Sequence, residues 1–520
     1  MSHLPVLIIV IPLLSAFIIS LLDYVHRAVK PAVVLLASVM HAVAAVLLTV
    51  SVHSNGAAVY YLGGWLPPFG ITLIADHAST VFILIAGIGN LTATLYRIGT
   101  DGLRDTSSKY SSLSQVYFCA MSGLAVAGDM FNLYVFVELA TVASIGLIVL
   151  KRRMAGSVAG FVYIMVASIS GILLLFAILL IYISTGSLNL AEIAASIHTM
   201  PPTLHTAATV SVVISFGIKF GMVPLHFWQP RAYHAAGSTL AGLLSGIGMK
   251  LYMFVLLRLL WIPLQAVELL PAIFPLLMAF GMTNILVGHL MGLIERDLKR
   301  MLAFSSIAHA GYILAGAAAA GMAAAGASTA EQAGRQFPLA EAAMAAALFH
   351  MLNHTVMKIA LLWSGRRLIA DSQSSRITQL GGTSRTAPLA LTAFALASTA
   401  IIGLPPTAGF ASKWYIATAQ LHIIPIVIIA AGTMISLYYY GRILTICLNS
   451  SPVTPLLDEQ SAEQPSRRWR LDSMLVLMLA VAVVFGGLGE SHLFRWLHAA
   501  AGSLMNAEAY IQAVLPGGAL

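Results

Sequence analysis

Four lysines, Lys219, Lys250, Lys358 and Lys413, fall inside stretches otherwise apolar enough to cross a membrane. A charge at the bilayer centre costs about 2.5–3.5 kcal/mol on insertion scales, so such residues usually pair with one another or carry ions. Glu138, in DMFNLYVFVELATVASIGL, is the one acid well inside such a stretch. A lone carboxyl there stays neutral, whereas one beside a lysine can ionise, and Lys219 is the expected partner. Such a pair can open and close as a proton moves nearby; the alternative is a static structural pair. Lys250, in GIGMKLYMFVLL, has only apolar sequence neighbours, and an amine without a counter-ion gives up its proton readily. Arg258, further along the same stretch, is expected to snorkel to the outer interface.

His350, His354 and Lys358 recur every fourth residue in FHMLNHTVMK and so share one helix face. The HxxxH pair reads either as half of a metal site or as part of a proton relay. No carboxylate lies near it in sequence, so a water-linked proton relay is preferred over a metal. His309, in FSSIAHAGY, shares a face with Ser305 and Ser306, and either extends this wire or makes an ordinary polar contact. His226 follows an interrupted stretch and either links Lys219 to Lys250 or caps freed carbonyls.

These side chains need apolar helices to hold them, and the composition provides them. The chain has 520 residues, 59% hydrophobic and 9% charged, with a mean hydropathy of +0.90. Soluble domains carry about 25% charged residues, so this is an integral membrane protein. The first apolar run lacks a basic leader and a small-residue cleavage site, and is expected to be a retained span. The net charge of +8 is dispersed over alternate loops and does not form a nucleic-acid patch. Cys119 and Cys447 both lie in apolar runs, so no disulfide framework or iron–sulfur site is expected, and no cofactor in this chain.

An all-α polytopic fold of about fourteen spans is expected, near residues 4–22, 31–52, 76–96, 113–128, 131–150, 157–184, 206–233, 237–260, 272–293, 300–322, 339–365, 387–416, 422–447 and 472–489. The seventh, eleventh and twelfth are expected to be broken. With both termini outside, the inner loops collect the basic residues, whereas loops 53–75 and 185–204 have no Lys or Arg. The seventh span reads SFGIKFGMVPLHFWQP, with Gly221 and Pro224 after Lys219; the twelfth reads IIGLPPTAGFASKWYI, with Pro405, Pro406 and Gly409 before Lys413. Proline frees a backbone carbonyl, and such breaks survive in a bilayer only inside protein or beside water. Paired interruptions point to an ion path and to two inverted repeats. Residues 1–112 would then hold spans one to three, 113–260 the first five-helix repeat, and 272–448 the second. A polar cytoplasmic loop over 449–470 and a last span with an interfacial tail over 471–520 complete the chain.

These strings resemble the antiporter-like membrane subunits shared by Mrp-type cation/proton antiporters, respiratory complex I and membrane-bound hydrogenases. GDMFNLYVFVEL is similar to that family's junction of spans four and five. IKFGMVPLHFWQPRAYHAA resembles its broken seventh span and LLSGIGMKLYMFVLLR its eighth. IERDLKRMLAFSSIAHAGYI, ALFHMLNHTVMKIALLWSGR and GLPPTAGFASKW resemble spans ten, eleven and twelve. The resemblance implies protons moving between inner and outer half-channels along a central polar axis. Glu138 and Lys219 would be the modulating pair, Lys250 the central relay, and Lys413 the lysine near the outer exit. GDMFNLYVFVEL and STGSLNLAEIA lean toward the D-type member of the Mrp assembly. Arg231, where the family often has an acid, and Ala236-Gly237-Ser238, where it often has AP(S/T), depart from the pattern.

The expected function is a proton-translocating subunit of a multisubunit complex in the cell (inner) membrane, working with other integral membrane subunits and exchanging protons, in the Mrp reading, for Na+. The runner-up is a proton-pumping subunit of a complex I-like NADH-quinone oxidoreductase or hydrogenase, with a peripheral redox arm as a further partner. An independent small-anion transporter would need convergent polar groups at the breaks. An intramembrane enzyme would need carboxylates, cysteines or nucleotide loops that the chain lacks.

Overall fold

The computed structural model describes residues 3–25, 29–101, 108–150, 154–326, 330–449, 476–482 and 490–515. Hydrocarbon offers the backbone no water, so apolar runs of this length close their hydrogen bonds internally as helices. In chain order these are α1 (Leu4–Val25), α2 (Lys30–Asn55), α3 (His77–Asp101), α4 (Ser108–Val126), α5 (Met130–Val149) and α6 (Met154–Thr185). Next come the short α7 (Leu190–Ser196), α8 (Pro202–Phe220), α9 (Trp228–Ala235), α10 (Ser238–Leu243), α11 (Met249–Trp261) and α12 (Ala266–Leu269). Then follow α13 (Ile273–Ile294), α14 (Leu298–Ala325), α15 (Ala330–Ser372), α16 (Thr383–Thr386), α17 (Pro388–Ile402), α18 (Ala408–Thr418) and α19 (Ile423–Leu448). After α20 (residues 476–482), α21 (Glu490–Met505) and α22 (Ala507–Val514) close the described chain.

Eleven helices among the described residues are long and apolar enough to cross a membrane. Of the other three expected spans, 113–128 falls on the more polar α4 and 387–416 on the interrupted α17–α18 pair, whereas 472–489 lies mostly outside the described residues. Three details differ from the expectation. The eleventh span is continuous within α15, because residues 339–364 contain neither Gly nor Pro. The eighth is interrupted by a π turn, Leu244–Gly248, between α10 and α11. Loop 53–75 carries a two-stranded antiparallel hairpin, β1 (Ala58–Tyr61) and β2 (Thr72–Ala75), paired Tyr60 to Leu73. Its strands are rich in aromatic and aliphatic residues that suit a half-buried pleat.

That hairpin ties the chain ends together. His3 Nδ1 lies 3.3 Å from Tyr60 Oη, and Tyr61 Oη donates to Val514 O at 2.7 Å. Both ends of the described chain therefore lie at one face of the bundle, the hairpin face. The core runs through α11, α14 and the middle of α15, which are buried nearly all round. Long buried helices at the centre are what a polar axis requires, since every charge on them is shielded from lipid.

Arg258 does not snorkel. It is 2% exposed, and its Nη2 donates to Asp76 Oδ1 and Oδ2 at 2.6 and 2.7 Å. The Phe254 and Tyr510 rings cover its guanidinium. Burial alone would raise the Asp76 carboxyl, but Arg258 and Ser79 hold it below the ordinary carboxylate value. Its contribution to stability therefore stands at neutral pH and is lost as pH falls below about 3.9, through the lower folded value. Asp76→Asn should strand a buried guanidinium and destabilise the fold by about 3–5 kcal/mol. Thermal unfolding of the detergent-solubilised chain checks this, and adding Arg258→Met should restore part of the loss.

Candidate ion-translocation site

The first break starts where α8 ends on Gly221, at φ 82°. A side chain is strained there, and a Cβ would lie 2.0 Å from Gln229 Oε1. Side chains of Asn284 and Trp228 tie the backbone around the break to α8 and α14, and Asn284 Nδ2 also lies 3.4 Å from Gly221 O. Val223 N donates to Asn284 Oδ1 at 2.8 Å, Asn284 Nδ2 donates to Ile307 O at 3.2 Å, and Trp228 Nε1 donates to Ile218 O at 2.9 Å. Lys219, in the last turn of α8, is thereby fixed. Its Nζ donates to Thr141 Oγ1 at 2.6 Å and lies 3.9 Å from Glu138 Oε1. Lys219 is fully enclosed, whereas the Glu138 side chain is 32% exposed on the flank of the bundle. Gly171 of α6 leaves that carboxylate its space, since a Cβ there would meet Oε1 at 2.7 Å.

The second break has the same logic. α17 ends on Gly403, at φ 88°, and α18 resumes after Thr407, whose hydroxyl accepts from Phe410 N at 3.3 Å. Pro406 has no N–H to offer the carbonyl of Ile402, four residues earlier. Lys413 Nζ takes that carbonyl at 2.9 Å and lies 4.7 Å from the centre of the Tyr312 ring, a cation–π distance. Gly409 is required by close packing, since a Cβ would fall 1.7 Å from Ala400 O.

Lys250 and Lys358 flank one cluster of polar atoms. Lys250 Nζ donates to Ser245 O in the π turn, where the hydrogen-bond register departs from the four-residue ladder. Ser245 Oγ meets Ser306 Oγ at 2.8 Å, and Ser306 Oγ donates to Leu302 O at 2.9 Å. Lys358 Nζ donates to that same carbonyl at 2.8 Å. Ser305, the neighbour of Ser306, turns away to Tyr440 Oη at 3.0 Å.

The histidines form a further cluster beside Lys413. His309 Nδ1 and His350 Nε2 share a hydrogen bond at 2.9 Å, and His350 Nδ1 reaches Ser412 Oγ, beside Lys413, at 2.9 Å. The His354 ring stacks on His309 at 4.6 Å. Both its nitrogens and His309 Nε2 are buried without a protein partner. The three rings stack nearly parallel, so their nitrogens do not converge as metal ligands do. Among the described residues no group of three His, Cys, Asp or Glu forms a metal-holding set.

His226 sits in the first break but away from these clusters. It is half-buried, 6.4 Å ring to ring from Phe304, and among the described residues it bonds to neither Lys219 nor Lys250. It faces a groove at the end of the bundle opposite the hairpin, together with Arg231. Ala236 and Gly237 connect α9 to α10 in ordinary extended backbone.

Sequence reasoning missed His289. It is fully buried on α13, with Nδ1 3.2 Å from Tyr439 Oη and Nε2 3.1 Å from Tyr312 Oη, and its ring lies 6.2 Å from His309. It was visible as a lone polar residue in ILVGHLMG, the same anomaly that marks the lysines.

The family described as NADH:quinone oxidoreductase/Mrp antiporter, TM, matches residues 127–333 and 328–438. The chain belongs to that family. It is 30% identical to NADH-quinone oxidoreductase subunit N of Desulforudis audaxviator over 504 residues, 94% of this chain and 96% of that one. It is 25% identical to the D component of the Na(+)/H(+) antiporter of Alkalihalophilus pseudofirmus over 522 residues, 98% of this chain and 99% of that one. A chain in the structure of the Mrp complex from Dietzia sp. has the same fold, with a TM-score of 0.84, 24% identity and 99% of both chains covered.

Gly221→Ala and Gly409→Ala should each sharply lower the yield of folded protein, the first by strain at positive φ plus overlap and the second by overlap with backbone. Gly441→Ala is the control, because nothing lies within 4 Å of its added Cβ; a helical alanine there should be neutral or stabilising by up to about 1 kcal/mol. Size-exclusion yield and thermal unfolding of the three variants check this.

Proposed function

We propose that this chain is a proton-translocating, antiporter-like subunit of a multisubunit membrane complex. The observation that carries the reading is a row of three polar clusters, Glu138–Lys219 at the flank, then the buried Lys250–Ser245–Ser306–Lys358 and His309–His350–Ser412 beside Lys413. Lys250, Lys358 and Lys413 rest on neutral carbonyls and not on carboxylates. Such an amine can exist charged or neutral without leaving a stranded counter-ion, which is what a relay station needs. The buried, unpartnered nitrogens of His354 and His309 suit ordered water, which would close the remaining gaps.

In this reading Lys219 exchanges its hold between Glu138 and Thr141 as the proton on Lys250 comes and goes. The exposed flank of Glu138 would be covered by a neighbouring membrane subunit. The two breaks, at Gly221–Pro224 and Pro405–Gly409, would be equivalent points of two inverted five-helix repeats over 113–260 and 272–448. The distribution of basic residues orients the hairpin face outward and the Arg231 end inward, in the cell membrane of the organism. His226 would stand at the inner inlet, at the mouth of the groove.

Exchange of protons for Na+ in an Mrp-type assembly is the favoured coupling, in line with the relative named as an Na(+)/H(+) antiporter component. One observation favours redox coupling instead: the relative matched at 30% is named as part of an NADH-quinone oxidoreductase. Affinity purification of the native complex separates the two, by recovery of small membrane subunits alone or together with iron–sulfur proteins.

Lys219→Ala and Lys250→Ala should abolish coupled proton movement in the reconstituted complex while its subunit composition stays intact. A pH-sensitive dye inside proteoliposomes reads the flux. Wild-type flux in either variant would contradict the proposal.

A further inference from the structure

At the end of the bundle opposite the hairpin, the start of α6, the end of α9, the end of α13 and the start of α14 enclose a groove of about 1010 Å³. Its walls are apolar and face outward. Met154 is 82% exposed, Val158 and Phe227 are each 51% exposed, and Met291 is 38% exposed. Met154, Val158 and Met291 belong to helices long and apolar enough to cross a membrane, so this surface suits acyl chains better than water.

The charges around the groove are unbalanced in a specific way. Arg231 and Arg300 both line it and are exposed, and neither side chain has an ion-pair partner among the described residues. The acids nearby are already engaged. Glu295 Oε1 accepts from the backbone N–H groups of Arg296 and Asp297, at 2.8 and 3.1 Å. Asp297 caps α14 through Arg300 N, lies 3.0 Å from His234 Nδ1 and accepts from Ser375. Burial alone would raise the Asp297 carboxyl, but His234 and Ser375 keep it below the usual carboxylate range. Two guanidinium forks are therefore left facing the groove, above an apolar wall. A planar fork suits a phosphodiester, which accepts two parallel hydrogen bonds. Basic pockets between membrane helices on the cytoplasmic side are suited to anionic lipid headgroups.

We propose that this groove binds an anionic phospholipid, its phosphodiester held by Arg231 and Arg300 and its acyl chains lying along Met154, Val158 and Met291. The headgroup would sit beside His226, at the mouth of the first helix break. The proposal rests on the groove's own chemistry and stands whether or not the buried clusters carry protons.

The test uses the purified full-length chain in mild detergent, titrated with dioctanoyl phosphatidylglycerol or dioctanoyl phosphatidylcholine and followed by native mass spectrometry. The wild type should prefer phosphatidylglycerol. R231Q/R300Q should lose about twentyfold or more of that preference, each arginine accounting for about fivefold. R231K/R300K should keep the part of the preference due to charge and lose the part due to the bidentate fork, falling between the wild type and R231Q/R300Q, which separates loss of charge from loss of fold. Equal binding of the two lipids by the wild type, or a preference untouched in R231Q/R300Q, would overturn the proposal. So would a double variant that still selects phosphatidylglycerol but no longer co-purifies with a partner subunit, since the groove would then be a protein interface.

Discussion

A backbone carbonyl without its helical N–H is the feature on which the interior of this protein depends. In a bilayer such a carbonyl needs a donor, and a buried amine needs an acceptor. The chain meets both needs at once. Lys413 takes the Ile402 carbonyl that Pro406 cannot serve, and Lys250 takes a carbonyl from the π turn next to it. Lys358 shares the Leu302 carbonyl with the Ser306 hydroxyl. At Lys413 and Lys250 the helix irregularity and the intramembrane lysine are thus parts of one arrangement, whereas the Leu302 carbonyl that holds Lys358 lies inside the uninterrupted α14.

The rest of the architecture keeps that arrangement in place. Asn284 and Trp228 close the backbone of the first break, and Thr407 caps the helix after the second. Glycines at 221, 403 and 409 allow turns and approaches that a Cβ would strain or block. On the hairpin face, the Asp76–Arg258 pair joins the start of α3 to α11 beneath Tyr510 of the C-terminal tail. Interiors packed this closely favour discrete alternative arrangements over continuous drift. The relay proposed above would need that property to hold protons without leak.

Much of this was legible in the sequence, and the misses have physical causes. The Glu138–Lys219 pairing and the His350–His354–Lys358 stripe followed from the cost of burying charge and from helical spacing, both local properties. The hydrogen bond between His309 and His350 depends on how α14 and α15 cross, which no single stretch encodes. Asp76 lies 182 residues from Arg258, so the expectation that Arg258 would snorkel had no partner to weigh against it. The π turn shifts hydrogen-bond register without altering the apolar pattern, and the hairpin is two short strands among long helices. His289 alone was within reach, by the same test of a lone polar residue in an apolar run that found the lysines.

In the proposed relay, protons pass between Lys250 and Lys358 along ordered water held by the Ser245 and Ser306 hydroxyls. Each lysine itself rests on a carbonyl, which accepts a hydrogen bond but cannot pass a proton on. Ser306 lies on that path, whereas Ser305, adjacent in sequence and equally buried, bonds to Tyr440 instead. Proton flux through the reconstituted complex should therefore collapse in Ser306→Ala and stay near wild type in Ser305→Ala. Equal flux in the two variants would contradict the account.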